Sequence, residues 1–409
     1  MEILYMILVL IVVARIFSEV AVRLDIPALV GEIFAGVVLG TIFSQYSESF
    51  PILSELEESK AFHAITELGI FFLMLYAGIE LRPKDLGESS TNAFWIAIGG
   101  MLFPLLLGFG LGWVVYDESS LKMGQVFFTG VALAITAVPV AIKVLIDLGK
   151  LNDKPGKIIV SAAVIDDVIS LLLLAFLTGF LRTGEMPDAQ GVLLLTGKIA
   201  LFFAITFSFG KYVLPTITRN ITHRFRLEES ELSMLLVVAL AFSVLAEVLD
   251  MHFILGAFMA GLYFQKRDME SEVYMDVQNK LKGITTGFLA PIFFASIGLS
   301  LDLAAFVNIP LFVVGLILIA TIGKVAGAGL PAKWLGLSTN EALIVGNGMN
   351  ARGAVELIIA DIALSAGLFE QPENSIIIQN LFSAMVIMAI VTTLLTPITL
   401  KYLVGRKDE

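Results

Sequence analysis

The fold is decided by the stretch Ala162-Ala163-Val164-Ile165-Asp166-Asp167-Val168-Ile169. It lies mid-way along an apolar run from about residue 157 to residue 181, which is long enough to cross a bilayer as a helix. A carboxylate at membrane depth is costly unless it has water, a cation or a partner, and two neighbouring carboxylates cost more. An ionisable residue in such a place is by default a functional site, so the sequence predicts one here.

The composition is that of a polytopic membrane protein. Of 409 residues, 57% are hydrophobic and 15% are charged, and the mean hydropathy is +0.91. Soluble domains carry about 25% charged residues. Cysteine is absent, which excludes disulfides, thiolate catalysis and cysteine-based metal sites. The net charge of −11 argues against a nucleic-acid partner.

Hydropathy predicts an all-α protein with about thirteen transmembrane helices of roughly 20 residues each. The first apolar run has no basic segment before it and is expected to be a retained helix rather than a signal peptide. The predicted spans are 3–22, 28–44, 62–81, 92–116, 123–147, 157–181, 191–215, 231–249, 253–265, 284–301, 309–334, 340–366 and 375–402.

Basic residues in the connections predict the orientation. Cytoplasmic loops of membrane proteins are enriched in lysine and arginine. In this chain one side of the membrane receives only Lys60, Lys122 and Arg182, and the other side receives most of the remaining basic residues of the connections. We therefore expect a multi-pass protein of the cell (inner) membrane, with the N-terminus outside and the C-terminus in the cytoplasm.

A weak internal repeat relates segments that lie seven spans apart. An odd separation gives the two copies opposite orientations, and such inverted repeats are typical of secondary transporters. The similar segments are Gly31–Gly36 and Gly256–Gly261, Ala77–Leu81 and Ile297–Leu301, and Thr136–Pro139 and Asn350–Gly353.

Two spans carry signals of an interrupted helix. Pro139 removes a backbone donor from span five, and span twelve contains the polar, glycine-rich segment Gly346–Gly353. Non-helical backbone at membrane depth is tolerated only where it is buried in protein or lines a cavity. Within that second segment and just after it, Asn350, Arg352 and Glu356 are predicted to support the break, with the arginine and the glutamate paired across one helical turn.

Lys324 lies well inside span eleven, among glycines that admit close helix approach. A buried lysine needs a carboxylate, and the aspartate pair is the obvious partner.

Further acids lie in or near spans, and for each of them a hydrogen-bonded packing role is favoured over a place on the ion path. They are Glu19, Glu32, Glu67, Glu247 and Asp361.

These motifs together resemble the monovalent cation:proton antiporter-2 family, most closely the bacterial NapA-type sodium/proton antiporters. The resemblance covers nearly the whole chain. One departure is that the family's Pro-Arg-Gly-Glu is here Ala351-Arg352-Gly353-Ala354, with the acid displaced to Glu356. The matching segments are Ile26-Pro27, Gly31-Glu32, Ala77–Glu80, Thr136, Ala162–Val168, Gly256–Gly261, Pro291–Phe294, Gly323–Val325 and Gly346–Gly353.

The resemblance implies a NapA/NhaA-like fold with two crossed broken helices. It implies a core domain, approximately 62–182 plus 284–403, that moves against dimerisation helices at approximately 1–44 and 191–265 of a homodimer. No cytoplasmic regulatory domain is expected. Carried over, Asp167 is the principal ion- and proton-binding carboxylate, Asp166 the partner of Lys324, and Thr136 a residue of the first broken helix beside the ion.

The function that follows is electrogenic exchange of Na⁺ or Li⁺ for H⁺ by alternating access, with Asp167 and Asp166 as the cation ligands. We expect no enzyme activity and no cofactor. A Kef-type K⁺/H⁺ antiporter remains an alternative because both ions use oxygen ligands, and a cation channel is a further one. An aspartyl protease is disfavoured, because neighbouring aspartates on one helix diverge by about 100° and cannot share a proton.

Overall fold

The computed structural model describes residues 2–24, 26–45, 59–80, 91–136, 145, 150, 153–183, 189–214, 216, 230–264 and 271–405. Regular structure in these ranges is helical throughout. Two π-helical turns occur in these ranges, Phe209–Val213 and Thr285–Leu289. The helices are α1 (Glu2–Arg23), α2 (Ala28–Gln45), α3 (Lys60–Glu80), α4 (Thr91–Val115), α5 (Lys122–Ala134), α6 (Lys154–Thr183), α7 (Ala189–Ser208), α8 (Ser230–Val248), α9 (Ile254–Tyr263), α10 (Ser271–Ile284), α11 (Ala290–Leu299), α12 (Ala305–Asn308), α13 (Pro310–Trp334), α14 (Thr339–Gly348), α15 (Ala354–Ser365), α16 (Ile376–Gln379) and α17 (Leu381–Gly405).

Membrane-spanning length and hydropathy confirm the predicted class. In the described part of the chain, seven helical segments are long and apolar enough to cross a membrane, and shorter apolar helices accompany them. Their outer faces carry exposed large hydrophobic side chains, such as Val114 and Leu311, as expected for helices that face lipid. The protein is an all-helical, multi-pass membrane protein, and the count of about thirteen spans stays a prediction.

The chain divides into two compact units, each built from both halves of the sequence. The first unit contains Met1–Pro83 and Pro187–Ser300, and the second contains Lys84–Met186 and Leu301–Glu409. The aspartate pair, Lys324 and both predicted helix breaks belong to the second unit. The predicted core and dimerisation parts concern motion and association, and that assignment stays a prediction.

Within the first unit, two helix crossings are equivalent under the predicted repeat. At the crossing of α2 and α11, a Cβ on Gly36 would overlap the carbonyl oxygen of Ala295 and press on Gly298. At the crossing of α3 and α9, a Cβ on Gly78 would likewise overlap the carbonyl oxygen of Phe258 and press on Gly261. The repeat pairs Gly36 with Gly261 and Gly78 with Gly298, so each crossing maps onto the other.

The second unit is built on an equally close crossing of α4 and α13. A Cβ on Gly327 would lie 2.6 Å from the carbonyl oxygen of Gly99, and one on Gly323 would lie 3.0 Å from Pro104. Only small residues allow two backbones to approach this closely. These two glycines flank Lys324 in sequence, and the close packing of this segment buries the lysine completely.

Candidate ion-binding site

The first half of the site is the end of α5. This helix stops at Ala134, and Ile135 is extended with φ −73° and ψ 147°. A proline at position 139 is a physical reason for the early end, because in a continuous helix its ring would clash with the carbonyl of residue 135. Thr136 follows and is buried. Pro139 itself lies outside the described residues.

The second half of the site is the gap between α14 and α15. Helix α14 ends at Gly348 and α15 begins at Ala354, so the helix is interrupted where the sequence predicts. Asn350 and Arg352 lie in this gap, and Glu356 occupies the first turn of α15. All three side chains are buried.

Arg352 joins the two breaks. Its Nη1 and Nη2 donate to the carbonyl oxygens of Ala132 and Leu133 at 2.5 and 2.7 Å. These carbonyls belong to the last turn of α5, where the helix dipole places partial negative charge and the carbonyls have no helical partner. The carbonyl of Arg352 accepts a hydrogen bond from the Thr393 hydroxyl of α17 at 2.7 Å. The arginine therefore caps one broken helix from within the other.

The pairing of Arg352 with Glu356 is looser than the spacing suggests. Arg352 Nη1 lies 3.7 Å from Glu356 Oε1, and neither carboxylate oxygen has a hydrogen-bond donor within the described ranges. The predicted ion pair across this spacing is therefore present, although Arg352 precedes α15 rather than lying on it. The arginine directs its short hydrogen bonds to backbone carbonyls instead.

Lys324 is the residue that brings the predicted ion ligands together. Its Nζ lies 3.6 Å from Asp166 Oδ1 on α6 and donates a 2.5 Å hydrogen bond to Thr136 Oγ1. Lys324 and Asp166 are both 0% exposed. The backbone of Asp167 belongs to α6, but its side chain lies outside the described part of the structure.

The site contains several buried oxygen atoms that receive no hydrogen bond from the described residues. Both carboxylate oxygens of Asp166, both of Glu356 and the amide oxygen of Asn350 lack a hydrogen-bond donor among the described residues. Buried acceptors are normally paired, and unpaired ones are costly. Carboxylate, hydroxyl and amide oxygens are the ligands of hard cations, and a carboxylate also takes a proton. The arrangement can therefore hold a small cation or a proton.

The remaining acids divide between surface and core. Glu19 is exposed and pairs with Arg23 at 2.9 Å. Glu32 is buried and accepts a hydrogen bond from Ser18 at 3.1 Å, a packing role of the kind expected. Glu67 and Glu247 are exposed. Asp361 is partly buried and has an interaction partner.

Two buried hydroxyls on the helices around the site escaped the sequence reasoning. Thr393 is a polar residue in the most buried of the seven long apolar helices of the described chain and gave no motif. Ser170 stands one helical turn after Asp166, and that spacing is a signal that could have identified it.

Comparison with known proteins agrees with this geometry. Residues 7–406 match the family described as sodium/hydrogen exchanger, transmembrane. The chain belongs to the sodium/hydrogen exchanger family. Its members and the relatives below are transporters.

Among the relatives of the family, the chain is 30% identical to the Na⁺/H⁺-K⁺ antiporter GerN of Bacillus cereus, over 100% of this chain and 98% of that protein. It is also 30% identical to a Na⁺/H⁺ antiporter of Enterococcus hirae, over 98% of each chain. The structure of the sodium proton antiporter MjNhaP1 from Methanocaldococcus jannaschii superposes with a TM-score of 0.69 at 18% identity, covering 98% of this chain and 96% of that one. This likeness confirms the antiporter fold.

Proposed function

We propose that this protein exchanges Na⁺ or Li⁺ for H⁺ across the membrane by alternating access. The observation that carries the proposal is the position of Lys324. Its buried ammonium group contacts both Thr136 and Asp166, which are the oxygen ligands predicted for the cation. An ammonium ion and a metal cation need the same oxygens, so they compete for one place.

The competition gives the coupling. When the site loses protons, its carboxylates attract a small cation, which takes the oxygens of Asp166 and Thr136 and displaces Lys324. When protons return, the cation loses its charged ligands and leaves. Asp167, by the resemblance, is the principal carboxylate of this exchange. Because Lys324 is released from Asp166 when the cation binds, it can give up a second proton, which makes the exchange electrogenic.

The breaks around the site have a supporting role in this proposal. Arg352 neutralises the negative end of α5 and fixes it to the gap between α14 and α15. Thr136 is the second residue after that end, so the two hydrogen bonds of the arginine help to position the hydroxyl that Lys324 or the cation contacts. Asn350 and Glu356 add buried oxygens to the same region.

A second candidate is exchange that includes K⁺. It is favoured by one relative over the full length of the chain, which is described as a Na⁺/H⁺-K⁺ antiporter. Potassium uses the same oxygen ligands at longer distances, so the distinction depends on the size of the occupied cavity. We place the protein in the cell membrane as a homodimer, with the N-terminus outside and the C-terminus in the cytoplasm.

The test uses purified protein in liposomes with an imposed pH gradient and an internal pH dye. Sodium, lithium, potassium and choline are added in turn to wild type, to Asp167→Asn and to the control Glu19→Gln, which alters an exposed acid outside the site. We expect sodium and lithium to dissipate the gradient in wild type and in the control but not in Asp167→Asn.

Three results would change the proposal. A potassium response as large as the sodium response would select the second candidate and leave the site assignment intact. A steady voltage-driven current without a pH gradient would indicate a channel. An Asp167→Asn protein that exchanges sodium at the wild-type rate would refute the central role of that residue.

A further inference from the structure

Ser170 is a buried hydroxyl beside the site that the proposed mechanism does not use. It lies on α6, four residues after Asp166, and is 2% exposed. Its Oγ has no hydrogen-bond partner in the described part of the chain. A buried hydroxyl without a partner is unfavourable, so its presence here calls for an explanation.

Several other buried hydroxyls on the described helices are satisfied by their own backbone, whereas Thr321 on α13, like Ser170, has no hydrogen-bond partner there. Thr178 on the same helix donates to the carbonyl of Leu174 at 3.0 Å. Thr206 and Thr392 likewise donate to the carbonyls four residues before them, each at 2.9 Å. This backward bond is the ordinary solution for a serine or threonine inside a helix. Ser170 does not make it, so its oxygen remains available for another group.

The position of Ser170 directs that oxygen toward the ion site. Residues four apart lie on the same face of a helix, one turn above each other. The Cα–Cβ bond tilts toward the helix N-terminus, which for Ser170 is the turn that holds Asp166. Both carboxylate oxygens of Asp166, although ion-paired with Lys324, also lack a hydrogen-bond donor among the described residues. The two unsatisfied groups therefore belong to one buried face of α6.

We propose that Ser170 Oγ is a further oxygen ligand of the transported cation, next to Asp166. The inference rests on the proposed function and adds a ligand to its site. A hydroxyl is neutral and keeps its proton at working pH, so it contributes to cation affinity and selectivity without taking part in proton binding. Small, hard cations such as Na⁺ and Li⁺ gain from such a ligand because they require several close oxygens.

The experiment measures the dependence of exchange on cation concentration in proteoliposomes. Wild type is compared with Ser170→Ala and with Thr178→Val, a matched control on the same helix whose hydroxyl bonds to its own backbone. We expect Ser170→Ala to raise the apparent KM for Na⁺ and Li⁺ about fivefold, the scale of one polar contact, with the maximal rate within about twofold of wild type. The control should leave both values unchanged.

Two further variants separate loss of a ligand from damage to packing. Ser170→Thr keeps the oxygen and should keep the KM near that of wild type. Ser170→Cys keeps the approximate volume but offers a soft sulfur, so it should resemble Ser170→Ala. If the Ser170→Ala protein does not elute as a monodisperse protein, the apparent KM of Ser170→Cys tests the ligand role instead.

The outcomes are distinguishable from those of the proposed function. Wild type that exchanges sodium, with Ser170→Ala and Ser170→Cys at the wild-type KM for both cations, overturns the ligand and leaves the antiporter intact. A lower maximal rate with an unchanged KM also overturns it, because that pattern reports a structural role. Wild type without cation-dependent exchange overturns the proposed function itself.

Discussion

Removing the charge of Lys324 alone should destabilise the protein more than removing the charges of Lys324 and Asp166 together. The two charges are 3.6 Å apart and have no exposed surface. At an effective dielectric constant of about 20, their attraction is about 5 kcal/mol. Deleting one partner of a buried pair costs about 3–5 kcal/mol, because the other charge stays buried without compensation. When Asp166 loses its charge, the neutral hydroxyl of Thr136 is too weak a partner to compensate the charge of Lys324.

The variants are Lys324→Met, which keeps the aliphatic stem, Asp166→Asn, and the double variant. Thermal unfolding of purified protein is followed by intrinsic tryptophan fluorescence. The three tryptophans, Trp95, Trp113 and Trp334, lie on α4 and α13 of the second unit, so they report on the helices around the pair. Each single variant should unfold at a clearly lower temperature than wild type, and the double variant should recover at least half of the loss.

The matched control is Glu118→Gln in the same unit. Its carboxylate pairs with Lys122 but is 89% exposed, and exposed pairs contribute only about 0–1 kcal/mol. The reasoning would be refuted if the double variant unfolded at no higher temperature than the less stable single variant, because the two charges would then not compensate each other. A Lys324→Met protein as stable as wild type would refute it as well.

Three further outcomes are expected. Arg352→Lys should lower the maximal exchange rate at least tenfold and lower the unfolding temperature, since one ammonium group cannot reproduce the two guanidinium hydrogen bonds to the carbonyls of α5. Unchanged exchange in liposomes would contradict the capping role of the arginine. Thr136→Val, nearly isosteric, should raise the apparent KM for Na⁺ about fivefold or more, and an unchanged KM would remove the hydroxyl from the site. Gly36→Ala should destabilise the protein by about 1–3 kcal/mol because its Cβ overlaps a carbonyl oxygen, whereas Gly197→Ala has open space around it and should be tolerated. The fraction of monodisperse protein that remains after heating measures both effects, and equal losses would contradict the close packing of α2 against α11.

The sequence determined the class of protein and the groups that need partners. Membrane insertion depends on the summed hydropathy of local segments, so the helical class could be predicted. The penalty for a buried charge is also local, which singled out Asp166 and Lys324. A proline and a glycine-rich segment interrupt a helix through their own backbones, so the break before Ala354 could be predicted as well.

Tertiary structure decided which partners those groups found. Lys324 donates to Thr136, which is 188 residues away in sequence, and Arg352 caps carbonyls about as distant rather than relying on the nearby Glu356. Many acids and carbonyls in the sequence could have served either cation. Only the packing of α4 against α13 and the termination of α5 select among them, because the choice depends on distances between helices that local sequence does not encode. The spacing of Ser170 from Asp166 can be read from the sequence, but the missing hydrogen bond of its hydroxyl is visible only once its neighbours have positions.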